Sequence, residues 1–425
     1  MLFMQVNEKN LKLGRLMYHF EAALEYFISI LVAGSFLATI TKELGISDAL
    51  TGILSAIISL GCLFQLLSLF IHKKRMKGFV ITMSVINQLL FMLLYIIPIF
   101  DFSANAKTAI FVVAIISAYI IYNMAHPKKI TWLMSLVDEH HRGSFTATKE
   151  IISLLSGMAF TYLMGALIDH FKALGQIRTA FVLSAIVIFV IMVLHTLTMA
   201  FTVEKDENAP QKTNFFKSLS VIFKNKNIVK VTVVFCLYYF SLYCSTPFFG
   251  TYQINELGFS LTFVSIITML GSLVRAFFSR ALGRFGDRHS FVSLTLVCLV
   301  VWGISGVITA LATPQNGKIL FTLYYIIHGV ASVGFGSMFF NLVFEYAEPE
   351  HTSDSLAFAL AVSGLVGFLA TLIVSPLVSY IQGAGNTLFG IHIYAQQVVS
   401  IIKVIVTVVA IIYIRIALGG KKENK

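Results

Sequence analysis

Charged side chains are scarce in this sequence: Lys, Arg, Asp and Glu make up 12% of its 425 residues, against about 25% in soluble domains. Hydrophobic residues reach 57% and the mean hydropathy is +0.85, so no stretch is polar enough for a sizeable water-exposed domain. This disfavours a soluble enzyme, a nucleic-acid binder and an ATP-driven pump. The net charge of +11 does not indicate a polyanion partner, because the basic residues lie in short loops.

Motifs for redox, metal and nucleotide chemistry are also lacking. The four cysteines lie in apolar runs without paired spacing or a CxxC pattern, and we expect free thiols at Cys62, Cys236, Cys244 and Cys298. No Gly-x-x-x-x-Gly-Lys-Ser/Thr sequence occurs. Paired aspartates, a His/Glu metal cluster and an activated serine are not found at suitable spacing. The sequence therefore predicts no cofactor, no metal and no enzyme activity.

Long apolar runs are what the sequence has in abundance. A membrane-spanning helix needs about 20 mainly apolar residues, and twelve runs meet that requirement. We predict an all-α membrane protein whose twelve transmembrane helices form two six-helix pseudo-repeats. The predicted spans are 17–41, 47–71, 78–100, 107–136, 145–170, 178–203, 228–253, 260–282, 290–312, 319–346, 354–381 and 392–417.

The distribution of basic residues predicts the orientation. With both termini inside, 20 Lys and Arg lie in cytoplasmic segments and five in outer loops. We therefore expect a multi-pass protein of the cell membrane with both termini cytoplasmic. Residues 1–203 and 228–425 form the predicted six-helix bundles. Residues 204–227 join them, either as an amphipathic helix on the membrane surface or as a plain charged linker.

Two short motifs repeat at nearly one offset. Lys42–Ser47 follows span 1 and the similar Asn255–Ser260 follows span 7, 213 residues later. Val137–His141 precedes span 5 and the similar Ala347–His351 precedes span 11, 210 residues later. Both pairs lie at equivalent places in a six-plus-six count, which indicates duplicated halves. Parallel six-helix repeats are typical of transporters.

One loop motif is specific enough to indicate a family. Between spans 8 and 9, Gly283–Arg288 fits the pattern Gly-x-x-x-Asp-Arg, and Arg142-Gly143 opens span 5. In these motifs and in its twelve-span architecture, the chain resembles the major facilitator superfamily over essentially its full length. The family's corresponding loop between spans 2 and 3 is degenerate, with Ser68 in place of glycine and His72 in place of aspartate.

The resemblance implies that these loops latch the two halves together. Asp287, flanked by Gly283 and Arg288, is then expected near Arg142 at the start of span 5, where a helix N-terminus favours a carboxylate. In the degenerate loop, His72 or Lys73 would pair with Asp354 at the start of span 11. The alternative is that His72 is simply a solvated loop residue.

Ionisable residues inside the spans are the best pointers to function. Glu25 lies about 12 Å inside span 1, and Lys128 and Lys129 lie at similar depth in span 4. The family's cavity is lined by spans 1, 4, 7 and 10, so depth and resemblance together predict an ion pair between Glu25 and one of the lysines. His126 is a second protonatable group at this depth. In the alternative topology span 4 ends at Pro127 and both lysines lie in the loop.

Other ionisable or polar residues have less defined roles. Glu21 is close enough to the cytoplasmic end for its carboxylate to reach water. Arg275, His328 and Asn341 are site candidates in the second half, although Arg275 could instead latch helices and His328 could be a neutral packing residue. Lys403 lies in the middle of span 12, and no pattern in the sequence explains it.

These observations lead to a functional prediction. We expect a monomeric secondary active transporter of a small organic solute, coupled to protons and working by alternating access in the lipid bilayer. An anionic substrate is favoured because Lys128, Lys129 and Arg275 outnumber the buried acids. The alternative is a transporter-like protein that senses or binds a solute without moving it.

Overall fold

The computed structural model describes residues 7–65, 76–138, 141–204, 225–347 and 352–418. These residues are almost entirely helical, with one antiparallel hairpin of strands β1 (Thr387–Leu388) and β2 (Ile391–His392). The helices are α1 (Glu8–Leu31), α2 (Gly34–Glu43), α3 (Asp48–Ala56), α4 (Gly61–Gln65), α5 (Lys77–Ile96), α6 (Ala104–Met134), α7 (Arg142–Ala173), α8 (Ile177–Ala200), α9 (Lys226–Tyr243), α10 (Leu261–Arg288), α11 (Phe291–Ala310), α12 (Gly317–Tyr346), α13 (Thr352–Gly383) and α14 (Ala395–Ala417). Shorter 3₁₀, α or π turns lie at Ile57–Leu60, Ile97–Ile99, Thr246–Phe248, Phe249–Thr251 and Tyr252–Glu256.

Ten helical segments are long and apolar enough to cross a membrane. The bent pair α1 and α2 is an eleventh, with an angle of 43° at a break where Gly34 has a φ of +52°, which glycine adopts without strain. The second predicted span is represented by the shorter apolar segment Asp48–Leu60, and part of run 47–71 lies outside the described residues. The predicted all-α membrane fold is confirmed, with ten or eleven of its twelve spans found in the described ranges.

The repeated loop after spans 1 and 7 has the same backbone geometry in both copies. Gly45 and Gly258 both have positive φ, +69° and +64°. Ser47 and Ser260 then cap the next helices, each accepting a hydrogen bond from the backbone N–H three residues later, at 3.3 and 3.1 Å. The two sequence copies therefore produce equivalent turns.

Helix α6 continues through Pro127 to Met134. Proline removes one backbone hydrogen bond but does not end the helix here. Lys128 and Lys129 are consequently helical residues, the first half-buried and the second 3% exposed. The alternative topology that placed both lysines in a loop is wrong.

The chain divides into two compact units. Unit 1 comprises Met1–Ile46, Phe64–Gln211 and Ser260–Ser265, and unit 2 comprises Ser47–Leu63, Lys212–Phe259 and Ile266–Lys425. Each unit therefore includes a short segment from the other half of the sequence. The predicted bundles, 1–203 and 228–425, do not exchange such segments. Their boundaries stay a prediction. The predicted linker helix falls almost wholly on residues 205–224, outside the described part of the chain.

Each unit has its own apolar core. In unit 1, Tyr18, Trp132 and Met199 belong to one buried cluster. In unit 2, helices α9, α11, α12, α13 and α14 enclose a larger cluster that includes Trp302 and Phe335. Unit 2 also contains three free thiols, at Cys236, Cys244 and Cys298, as the sequence predicted. The side chain of the fourth cysteine is not among those described.

Candidate functional site

A network of buried charged side chains crosses the interior of unit 1. Lys129 Nζ on α6 donates a hydrogen bond to Glu21 Oε1 on α1 at 2.6 Å, and it also contacts the carboxylate of Glu25. The two glutamates are four residues apart, so they share one face of α1. The expected ion pair between Glu25 and one of the two lysines is therefore present, and Lys129 forms it.

Two further side chains extend the network. His195 Nε2 on α8 lies 3.2 Å from Glu21 Oε1, and His195 Nδ1 lies 2.9 Å from the Nε2 amide nitrogen of Gln88 on α5. If the Gln88 amide donates to Nδ1, then Nε2 carries the imidazole proton and donates it to Glu21. Four helices thus contribute to one continuous chain of hydrogen bonds.

The position of Glu21 differs from the sequence-based expectation. Glu21 is 2% exposed, so its carboxylate does not extend to water at the cytoplasmic end. Lys129 and His195, which are 3% and 1% exposed, provide the partners that make this burial tolerable. A carboxylate that is hydrogen-bonded to two basic groups does not need bulk water.

The network ends at groups that are partly accessible to water. The side chains of Glu25 and His126 are 20% and 29% exposed, and Glu25 Oε1 lies 3.8 Å from His126 Nδ1. This distance is too long for a hydrogen bond, and no described residue forms a hydrogen bond with Nδ1. The His126 ring packs against Tyr122 on the same helix, with ring centroids 4.9 Å apart. The Glu25–His126 pair is therefore the partly exposed end of the network.

Counting the charges shows an imbalance. Glu21 and Glu25 carry two negative charges when ionised, whereas Lys129 carries one positive charge. One ligand atom each from Glu21, Glu25 and His195 lie within 4.8 Å of one another, a spacing that fits a metal ion. The Lys129 ammonium already contacts both carboxylates, so the network has a built-in cation and lacks one further positive charge.

The candidates in the second half of the sequence lie in unit 2. Arg275 is exposed on α10, and Asn341 is half-buried on α12. His328, also on α12, stacks on Tyr324 with ring centroids 5.4 Å apart, and within the described part of the chain its Nδ1 has no hydrogen-bond partner. The packing alternative for His328 thus accounts for its ring contacts but not for this nitrogen.

The predicted loop latch is only partly described. Gly283, Asp287 and Arg288 form the last turns of α10, where the Asp287 and Arg288 side chains are exposed. Arg142 is the first residue of α7, and Asp354 lies in the first turn of α13. His72 and Lys73 lie outside the described residues. The pairing of these groups stays a prediction.

Long apolar helices that pack around a buried charged network are typical of a multi-pass membrane transport protein. The chain belongs to the major facilitator superfamily, whose family model matches residues 22–371. The resemblance found in the loop motifs is confirmed, and the protein is a solute transporter and not an enzyme.

Several solved transporters have a similar fold. A mutant of the nucleoside transporter NupG superposes with a TM-score of 0.73 at 14% identity, covering 95% of this chain and 100% of that one. An auto-inhibited POT family peptide transporter gives 0.67 at 12% identity, covering 98% of both chains. A bacterial homologue of the human lysosomal transporter Spinster, inward-facing and unoccupied, gives 0.66 at 12% identity, covering 96% of both. At these identities the similarity shows the fold alone. No curated protein matches the sequence.

Proposed function

We propose that this protein is a proton-coupled secondary transporter of a small organic solute and that the network in unit 1 carries the coupled proton. The observation behind the proposal is that two carboxylates, Glu21 and Glu25, share one ammonium group, Lys129. An uncompensated charge in the membrane interior is costly. One bound proton neutralises the network.

Glu25 and His126 are the groups best suited to take up that proton. They form the partly exposed end of the network, whereas Glu21, Lys129 and His195 are buried. A proton bound at Glu25 weakens its attraction for Lys129, because a neutral carboxyl group no longer attracts the ammonium. Protonation is thereby linked to the strength of a contact between α1 and α6.

The substrate class and the setting are also proposed. Two proteins that share this fold are a nucleoside transporter and a peptide transporter by name, and both names denote organic solutes. The excess of basic residues in the predicted inner loops supports a cell-membrane location with both termini cytoplasmic. The two sequence halves would rock about a central site. The monomeric state stays a prediction.

Solute-driven proton flux tests the proposal. The full-length protein is reconstituted in liposomes with a trapped pH-sensitive dye and offered nucleosides, sugars, amino acids, peptides and organic acids. We expect one class to drive proton movement. In Glu25→Gln, this proton flux should fall to the level of protein-free liposomes while exchange of the solute at equal concentrations continues.

Glu150→Gln is the matched control, because Glu150 is an exposed glutamate on α7 in the same unit. Its proton flux should equal that of the unmodified protein. Equal fluxes in both variants would show that Glu25 does not carry the proton. A solute that binds but never accumulates in sealed vesicles would favour the sensor instead of the carrier.

A further inference from the structure

Unit 2 contains a fully buried lysine that the proposed proton network does not use. Lys403 on α14 is 0% exposed, and its Nζ donates a hydrogen bond to Ser305 Oγ on α11 at 3.0 Å. The same nitrogen lies 3.4 Å from the centroid of the Trp302 ring and 5.3 Å from that of Tyr324. Nζ thus has an aromatic face on one side and a single hydroxyl acceptor.

The neighbouring helix is shaped to accept this side chain. Trp302, Ser305 and Gly306 follow one another at i, i+3 and i+4, so they lie on one face of α11. A Cβ on Gly306 would lie 3.4 and 3.5 Å from the Lys403 Cδ and Cε atoms and 2.8 Å from Val404 Cγ2. The absence of a side chain at position 306 leaves room for Val404, and the stem of Lys403 packs over the same glycine.

Lys403 has no acidic partner in the described ranges. Among the described residues, the polar contact of its Nζ is the hydroxyl group of Ser305. A buried ammonium without a counter-charge is costly, so this position is unfavourable for a purely structural lysine. An apolar chain of similar length would pack there at lower cost.

His328 lies against the same two aromatic rings as Lys403. Its ring centroid is 5.3 Å from that of Trp302 and 5.4 Å from that of Tyr324, and its Nδ1 has no hydrogen-bond partner among the residues that the structure describes. Arg275 is exposed, His328 is half-buried and Lys403 is fully buried, and these three residues are called the basic series of unit 2.

We propose that this basic series in unit 2 is a binding site for the carboxylate of an organic anion, with Lys403 Nζ and His328 Nδ1 as its donors. An ammonium group has three N–H donors, of which Ser305 takes one, and a neutral imidazole carrying its proton on Nδ1 donates from that atom. A carboxylate has two oxygens, so it can accept one hydrogen bond from each donor. The inference rests on the proposed function and assigns the solute to the organic acids.

Trp302 makes the test direct, because the sequence has only two tryptophans. In Trp132→Phe protein, fluorescence reports Trp302 alone, and sodium benzoate serves as the probe. We expect benzoate to change the fluorescence and to raise the thermal midpoint, and Lys403→Met to weaken its binding about tenfold or more. Thermal shifts with both tryptophans present give a second measurement that does not depend on Trp132→Phe folding.

Matched variants and ligands identify the interaction. Lys172→Met, the same change at an exposed lysine of α7, should leave benzoate affinity unchanged. Neutral benzamide should bind at least tenfold more weakly than benzoate. Equal benzoate affinity in Lys403→Met, equal binding of benzamide, or a response to chloride with none to benzoate would each overturn the carboxylate assignment.

A third variant separates this inference from the proposed function. Glu25→Gln should keep its benzoate affinity in detergent although it loses proton flux. If benzoate fails to bind while another solute still drives a Glu25-dependent proton flux, the anion site is wrong and the proposed function stands. If benzoate binds through Lys403 but no solute drives proton flux, the anion site stands and the proposed function is wrong.

Discussion

Lys129→Met is expected to lower the free energy of unfolding by about 3–5 kcal/mol near neutral pH, the usual cost of removing one partner from a buried ion pair. The variant leaves two carboxylates with no ammonium group between them. Glu21 is too deeply buried for water to take the place of the missing ammonium group. The loss should be smaller in acidic buffer, where the carboxyl groups take up protons. Equilibrium unfolding of the purified protein in lipid nanodiscs at two pH values measures both effects.

The adjacent lysine supplies the control for this prediction. Lys128 is half-buried and, among the described residues, has no ion pair. Lys128→Met should change stability by less than about 0.5 kcal/mol, as surface substitutions usually do. Adding Glu21→Gln and Glu25→Gln to Lys129→Met should recover most of the lost stability, because the amides carry no charge. Equal losses at positions 128 and 129, or no recovery, would contradict the charge-balance explanation.

The depth of a residue in its membrane-spanning helix was predictable from the sequence, whereas the side of the helix on which it lies was not. Counting residues from the span ends placed Glu25 and the two lysines at one level, and the structure brings Lys129 to Glu25 there. The same counting left both lysines equivalent, because only the packing of α6 decides that Lys129 faces α1. His195 and Gln88 were missed because neither belongs to a motif and the sequence does not show which way their side chains face.

Composition also did not predict where the backbone of a helix breaks. Span 1 was predicted as one continuous run, yet the chain bends between α1 and α2 at Gly34. No proline marks this bend, and a glycine in an apolar run is common without one. Lys403 shows the converse case: its position in the middle of a span was evident, but its contacts with Trp302 and Ser305 come from three-dimensional packing.

Asp169→Ala is expected to open the contact between the end of α7 and the start of α10. The Asp169 carboxylate accepts hydrogen bonds from the Leu261 and Thr262 backbone N–H groups, at 3.0 and 2.7 Å, and from Thr262 Oγ1 at 2.6 Å. Losing a helix N-cap costs about 0.5–2 kcal/mol. Gly165 also packs closely on Leu261.

This contact matters for alternating access because it joins the two halves of the sequence. Residues 260–265 belong to unit 1, whereas the rest of α10 belongs to unit 2. Under the proposed alternating access, a movement of α10 away from α7 would break the hydrogen bonds to Asp169. Removing them should therefore shift the population toward the state that lacks this contact, by roughly tenfold for a loss of about 1.4 kcal/mol.

A buried cysteine reports that shift. Ser265 is 0% exposed and its Oγ donates to the Thr161 carbonyl at 3.1 Å, so a Ser265→Cys thiol is protected while the contact holds. With the natural cysteines replaced by alanine, Asp169→Ala should raise its labelling rate by a membrane-impermeant maleimide about tenfold. Asp101→Ala is the control, since Asp101 forms only an exposed ion pair with Arg178 at 3.5 Å, and such pairs contribute little. If both variants label at the same rate, the Asp169 contact does not restrain the opening, and the equilibrium between states is set elsewhere along α7 and α10.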